Sequence, residues 1–133
     1  MLRCIAIDDE PLALRQIESY IRRESELELV ALCCSAKEAQ EVLQSVKIDL
    51  MFVDINMPDL SGVEFVRSLE KAPMIIFTTA YSEYAVESFR LDAIDYLLKP
   101  FPYEDFSHAV KKAISLAELI SMKAKSTEGE ASL

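Results

Sequence analysis

Short apolar runs alternate with amphipathic stretches along most of this chain. Residues 2–7 are apolar apart from Arg3, and the run stops at Asp8. Residues 10–24 follow with Leu14, Ile17 and Ile21 spaced for one helical face, and Pro11 suits the first turn. Residues 29–34 form a second apolar run. Ser35, with Glu38 three residues on, reads as the capping box of a helix striped by Ala39, Val42, Leu43 and Val46. Residues 50–53 are unbroken apolar and end at Asp54, the pattern of a central parallel strand covered on both faces. Residues 57–62 are a loop by composition. A helix is predicted over 63–71, with Phe65, Val66 and Leu69 inward and Pro73 beyond its end. Residues 74–77 are another buried strand, closed by Thr78-Thr79. A short helix over 82–90 and a fifth strand over 93–98 follow, the latter ending at Lys99-Pro100. The last helix runs from Tyr103 to about Met122, with Phe106, Val110, Ala113, Ile114, Ala117 and Ile120 as its apolar stripe. Residues 123–133 lack periodicity and read as a flexible tail or linker.

Five strand–helix repeats predict an α/β fold: a parallel sheet with helices on both faces, joined by right-handed crossovers. The length, 133 residues, suits one domain, placed at 1–122. Apolar residues make up 51 %, enough for a real core. The net charge of −9, from 14 basic and 23 acidic side chains, argues against nucleic-acid binding by this domain, because phosphate contacts need clustered Lys and Arg. Cys4, Cys33 and Cys34 have no zinc or C-x-x-C spacing, fall in strand-like segments and read as plain buried or half-buried thiols. No signal peptide is visible, and no apolar run approaches the ~20 residues that span a bilayer. The expectation is a cytoplasmic protein without membrane contact.

The polar residues that close the strands change this picture. In open α/β sheets, ligands sit at the carboxyl ends of the strands. There the first strand carries Asp8-Asp9, the third Asp54, the fourth Thr79 and the fifth Lys99. One such Asp alone is equally well explained as a cap on the next helix. Three carboxylates meeting at one edge would repel, and a divalent cation resolves that conflict. All-oxygen ligands favour Mg2+ or Mn2+. Lys99 adds one compact positive charge and Thr79 a hydroxyl. These are the parts for phosphoryl transfer to a carboxylate nucleophile.

Asp8-Asp9, Asp54-Ile-Asn-Met-Pro-Asp-Leu-Ser-Gly62, Thr79-Ala80 and Tyr96-Leu-Leu-Lys99-Pro100, in that order, resemble the receiver domain of two-component response regulators over residues 2 to about 122. The resemblance implies a flavodoxin-like (βα)5 doubly wound sheet of strand order 2-1-3-4-5. It implies that Asp54 accepts phosphate from a sensor histidine kinase. The ion would be held by Asp9 directly, by Asp8 largely through water, by Asp54 and by the backbone carbonyl of Asn56. Lys99 would pair with the phosphoryl oxygens, Thr79 would turn inward to them, and Tyr96 would follow from exposed to buried. The Lys99-Pro100 bond would be cis. Pro11 with Ala13, and the stretch Phe77-Thr-Thr-Ala-Tyr81-Ser-Glu-Tyr84-Ala85 running on to Phe101, are similar to receivers of LytTR-type regulators, which carry a C-terminal DNA-binding domain. DNA contact would then belong to an output domain that is not in this chain. Dimerisation is implied through the face of the 82–90 helix, the fifth strand and the last helix.

Two other functions fit part of the pattern. A metal-dependent phosphatase with an aspartyl-phosphate intermediate needs a second Asp two residues after the nucleophile, where this chain has Asn56, which cannot transfer a proton. The chain is therefore expected not to be an enzyme beyond its own phosphorylation and dephosphorylation. A flavodoxin-like cofactor carrier needs a Ser/Thr/Gly-rich phosphate loop after the first strand, where Asp8-Asp9-Glu10 would repel phosphate. A phosphate-independent pseudo-receiver lacks some of the five polar residues, and none is missing here. His108, the single histidine, reads as a solvated helix residue, and Tyr81 and Tyr84 as cover for the sheet edge, with Tyr81, two residues after Thr79, alternatively a screen between the phosphoryl group and water.

Overall fold

The computed structural model describes residues 1–81 and 93–131. Its strands are β1 (Leu2–Ile7), β2 (Leu27–Cys33), β3 (Leu50–Asp54), β4 (Met74–Thr79) and β5 (Asp95–Leu98). Its helices are α1 (Pro11–Arg22), α2 (Ala36–Ser45), α3 (Gly62–Arg67) and α4 (Tyr103–Ala131). The strands form one sheet in the order β2-β1-β3-β4-β5, and every pairing is parallel. This is the flavodoxin-like arrangement, in which the order reverses between β1 and β3.

The unbroken apolar runs form the interior strands because both their faces are covered. On one face Ala6, Phe52, Ile76 and Leu97 pack under Leu14, Ile17 and Ile21 of α1 and Phe106 and Val110 of α4. On the other, Ile7, Val53, Ile75 and Phe77 pack against Ala39 of α2 and Phe65 of α3. Strand side chains alternate between faces. Asp54 therefore shares the α1/α4 face with Phe52, and Thr79 shares the opposite face with Phe77.

The structure departs from the sequence pattern at several ends. β2 begins at Leu27 and stops at Cys33, so Cys34 lies in the turn and is exposed rather than strand-like. The capping box explains this stop. Ser35 Oγ accepts the Glu38 N–H at 3.2 Å, and the Glu38 carboxylate reaches back to the Cys34 N–H at 2.8 Å, one residue before the cap. α3 ends at Arg67, short of Lys71, where the Ser68 hydroxyl donates to the Phe65 carbonyl at 2.6 Å and competes with the helical bonds. α4 stays helical past Met122 to Ala131, and Ile120, assigned to the buried stripe, is exposed. Residues 123–131 carry no apolar stripe, so periodicity alone misplaces the helix end. The helix expected over 82–90 lies outside the described residues. Among the described residues, no helix is long and apolar enough to cross a membrane.

Candidate functional site

β1 and β3 deliver three acidic side chains to one place. Oxygens of Asp8, Asp9 and Asp54 all lie within 4.8 Å of one another. Asp8 is fully buried, Asp54 is 4 % exposed, and Asp9 faces solvent. Asp8 is held from both sides. Its Oδ1 accepts the Glu10 N–H at the entrance to α1 (3.0 Å), and its Oδ2 accepts the Lys99 ammonium (2.6 Å). Lys99 Nζ lies 3.6 Å from Asp54 Oδ1, so one cation faces two buried carboxylates. The Asn56 N–H also reaches Asp54 Oδ1, at 3.3 Å, while Asn56 itself is exposed.

This crowding shows in the protonation equilibria. Burial, then the charge of Asp8 and lastly that of Asp9, push the Asp54 carboxyl up to about 7; Lys99 and the Asn56 N–H oppose the shift. Burial alone would lower the Lys99 ammonium, but its hydrogen bond to Asp8 and the charge of Asp54 outweigh that and raise it. Among the described residues, the site thus holds more negative charge than its single cation balances. The donor set is all oxygen and partly open to solvent, and it fits a hard divalent cation that keeps some of its water.

Thr79 and Tyr96 stand apart from this cluster. Thr79 is fully buried, and its Oγ1 accepts the Tyr81 N–H at 3.0 Å. Its backbone carbonyl accepts the Lys99 N–H at 2.7 Å, which ties the two strand ends together. Tyr96 is half-buried and stacks on Phe77 with ring centroids 5.5 Å apart. The Lys99-Pro100 peptide bond is cis. Tyr81 is exposed and His108 is solvated, whereas Tyr84 lies outside the described residues.

A sequence profile described as the response regulator receiver domain matches residues 4–111. The chain belongs to that family. Receivers of this family are the signalling switches of two-component systems. The transcriptional regulatory protein BtsR of Escherichia coli K12 is 40 % identical over 102 residues, covering 75 % of this chain and 43 % of BtsR. The sensory transduction protein LytT of Enterococcus faecalis is 36 % identical over 115 residues, covering 84 % of this chain and 48 % of LytT, in keeping with the LytTR-type resemblance. The receiver thus spans less than half the length of these curated relatives. The crystal structure of the response regulator TrrA of Thermotoga maritima, solved in complex with Mg2+–BeF, superposes with a TM-score of 0.73 at 31 % identity, over 85 % of this chain and 99 % of TrrA.

Two residues of the receiver site were not singled out by spacing. Gly62, read as the end of a loop, lies directly beneath Asp54. A Cβ there would collide with the Asp54 carbonyl oxygen and come within 2.9 Å of Val53 Cγ1, while the Gly62 N–H donates to the Ile55 carbonyl at 2.8 Å. A glycine five to ten residues after a strand-end Asp is a weak signal that only the close backbone approach makes specific. Thr78 pairs in register with Asp54, is fully buried, and its hydroxyl has no hydrogen-bond partner among the described residues. It closes the same apolar run as Thr79, and composition alone does not separate the two.

Proposed function

We propose that Asp54 accepts a phosphoryl group from a sensor histidine kinase, with Mg2+ as the cofactor, and that this switches a response regulator. The observation that carries the reading is Asp54 itself: a nearly buried carboxylate 3.6 Å from an ammonium, with two further carboxylates within 4.8 Å. An Asp54 oxygen attacks the phosphorus of a phosphohistidine, the P–N bond breaks, and the imidazole leaves with the electron pair and takes a proton. The product is an acyl phosphate on Asp54. Lys99 moves its charge from Asp54 to the phosphoryl oxygens, and Thr79 gives up its turn with Tyr81 to donate its hydroxyl to them. Tyr96, on the same sheet face as Thr79, follows inward.

Asp9, Asp54 and the Asn56 carbonyl would hold the ion directly, and Asp8 through water. Both Asp8 oxygens already accept hydrogen bonds, which favours this division. The bound Mg2+, or Mn2+, supplies neutralisation of the phosphoryl oxygens. The Mg2+–BeF complex of TrrA supports the choice of ion. The reading attaches the receiver to a LytTR-type DNA-binding output domain and makes it a homodimer when phosphorylated. Leu98 on β5 and Leu116 and Leu119 on α4 supply exposed apolar side chains on two of the elements involved.

The test is intact-mass measurement after incubation with Mg2+ and acetyl phosphate. One phosphoryl group is expected on the wild type and none on Asp54→Ala. No addition to the wild type, or equal addition to the variant, overturns the reading. Sustained hydrolysis of a generic phosphate ester would instead favour the phosphatase.

A further inference from the structure

Lys99 hangs from a poor support. β5 has four residues and, among the described residues, pairs only with β4. A lysine is a point charge on a flexible stem, so its position depends on how firmly its backbone is anchored. Yet its ammonium must stay between Asp8 at 2.6 Å and Asp54 at 3.6 Å.

The anchor comes from α1. Gln16 and Tyr20 are neighbours on that helix, one turn apart. Gln16 Nε2 donates to the Tyr20 hydroxyl at 3.3 Å, and the hydroxyl donates to the backbone carbonyl of Phe101 at 3.1 Å. Phe101 lies two residues past Lys99 and is buried. Its ring packs 6.1 Å from that of Tyr20, which also meets Phe106 at 5.4 Å. Glu10, the residue that caps the start of the same helix, donates the N–H that binds Asp8. One rigid element therefore grips the anionic side of the site at its start and the exit of the lysine strand near its end.

We infer that Tyr20 is a positioning residue for Lys99: its hydroxyl, oriented by Gln16, pins the Phe101 carbonyl and so fixes the lysine's backbone relative to Asp54. Tyr20 touches neither the acidic cluster nor the incoming phosphoryl group. The inference rests on the reading of Asp54 as phosphoacceptor. Small displacements of a positioned group are costly in rate, so a hydroxyl outside the pocket can matter to chemistry inside it.

Tyr20→Phe removes the hydroxyl and keeps the ring packing. With Mg2+ and acetyl phosphate, the variant should take up phosphate about fivefold more slowly, the factor that one net hydrogen bond is worth. The Mg2+ concentration for half-maximal rate should not change. In a Lys99→Ala background the same substitution should have no further effect, because Tyr20 acts through Lys99. In the metal-free protein, 15N NMR should show faster solvent exchange of the Lys99 ammonium in Tyr20→Phe. Gln16→Ala, at an exposed position that does not threaten folding, should slow uptake in the same direction but less. A Tyr20→Phe rate equal to wild type, or a fivefold loss that persists without Lys99, overturns the inference while leaving Asp54 as acceptor. A wild type that takes up no phosphate removes both.

Discussion

The two halves of the site are built in opposite ways. The anionic half stands on β1 and β3, interior strands whose side chains are almost all fully buried. Its carboxylates repel one another, and a rigid apolar base holds their backbones together. The cationic half stands on the short edge strand β5 and a loop clamped from α1. The difference separates two tasks. The negative side must hold a high-energy arrangement ready, whereas the positive side must let an ammonium exchange one partner for another.

Gly62→Ala should break the anionic half most severely. The added methyl meets a backbone carbonyl that cannot rotate away, so Asp54 and its strand must shift. A stability loss of at least about 3 kcal/mol is expected, beyond ordinary overpacking. Urea unfolding measures it, and a loss under about 1 kcal/mol would show that the base is softer than this comparison requires.

The next effect tests the repulsion itself. Burial and the charge of Asp8 push the Asp54 carboxyl up to about 7 in the folded chain, against an ordinary value near 3.8. Between those values the folded state binds more protons than the unfolded one. Metal-free stability should therefore fall as pH rises from about 4 to about 7 and stay low above it. Asp54→Asn should remove that fall and stabilise the metal-free protein by about 2 kcal/mol at pH 8, and Mg2+ should stabilise the wild type but far less the variant. Thermal melts across pH decide; an unchanged pH profile in the variant would assign the charge stress elsewhere.

Lys99→Ala probes the other half. It leaves Asp8 and Asp54 without their shared cation, and a loss of about 2 kcal/mol in metal-free stability is expected, reduced from the fully buried case because Lys99 keeps some solvent contact. Mg2+ should still bind, as followed by titration calorimetry, while phosphoryl uptake slows. Lost Mg2+ affinity would mean that the lysine shapes the metal ligands and that the two halves are not separable.

This division also explains what was legible in the sequence. Runs such as Leu50-Met51-Phe52-Val53 can be read because a strand buried on both faces tolerates nothing else, and a polar residue at its end stands out against them. Asp8, Asp9, Asp54 and Lys99 were visible for that reason, and the structure brings all four together. The close packing of Gly62 and the Tyr20–Phe101 bond were not visible, since each depends on an approach to a backbone carbonyl that residue spacing does not reveal. The ends of α3 and α4 were misread because a serine hydroxyl stops one helix and the other runs on past the apolar stripe that periodicity follows.

Thr78 marks the line between the site and its base, and it gives the smallest expected effect. It sits beside Asp54 in the sheet register, yet its hydroxyl is buried without a hydrogen bond among the described residues. A buried hydroxyl in that condition costs stability, and valine fills almost the same volume without it. If the apolar base extends up to Asp54, Thr78→Val should stabilise the protein by about 1 kcal/mol in urea and leave phosphoryl uptake unchanged. If it instead destabilises the protein or slows uptake, the hydroxyl serves the pocket, and the polar site reaches one residue deeper into β4 than the carboxylates alone define.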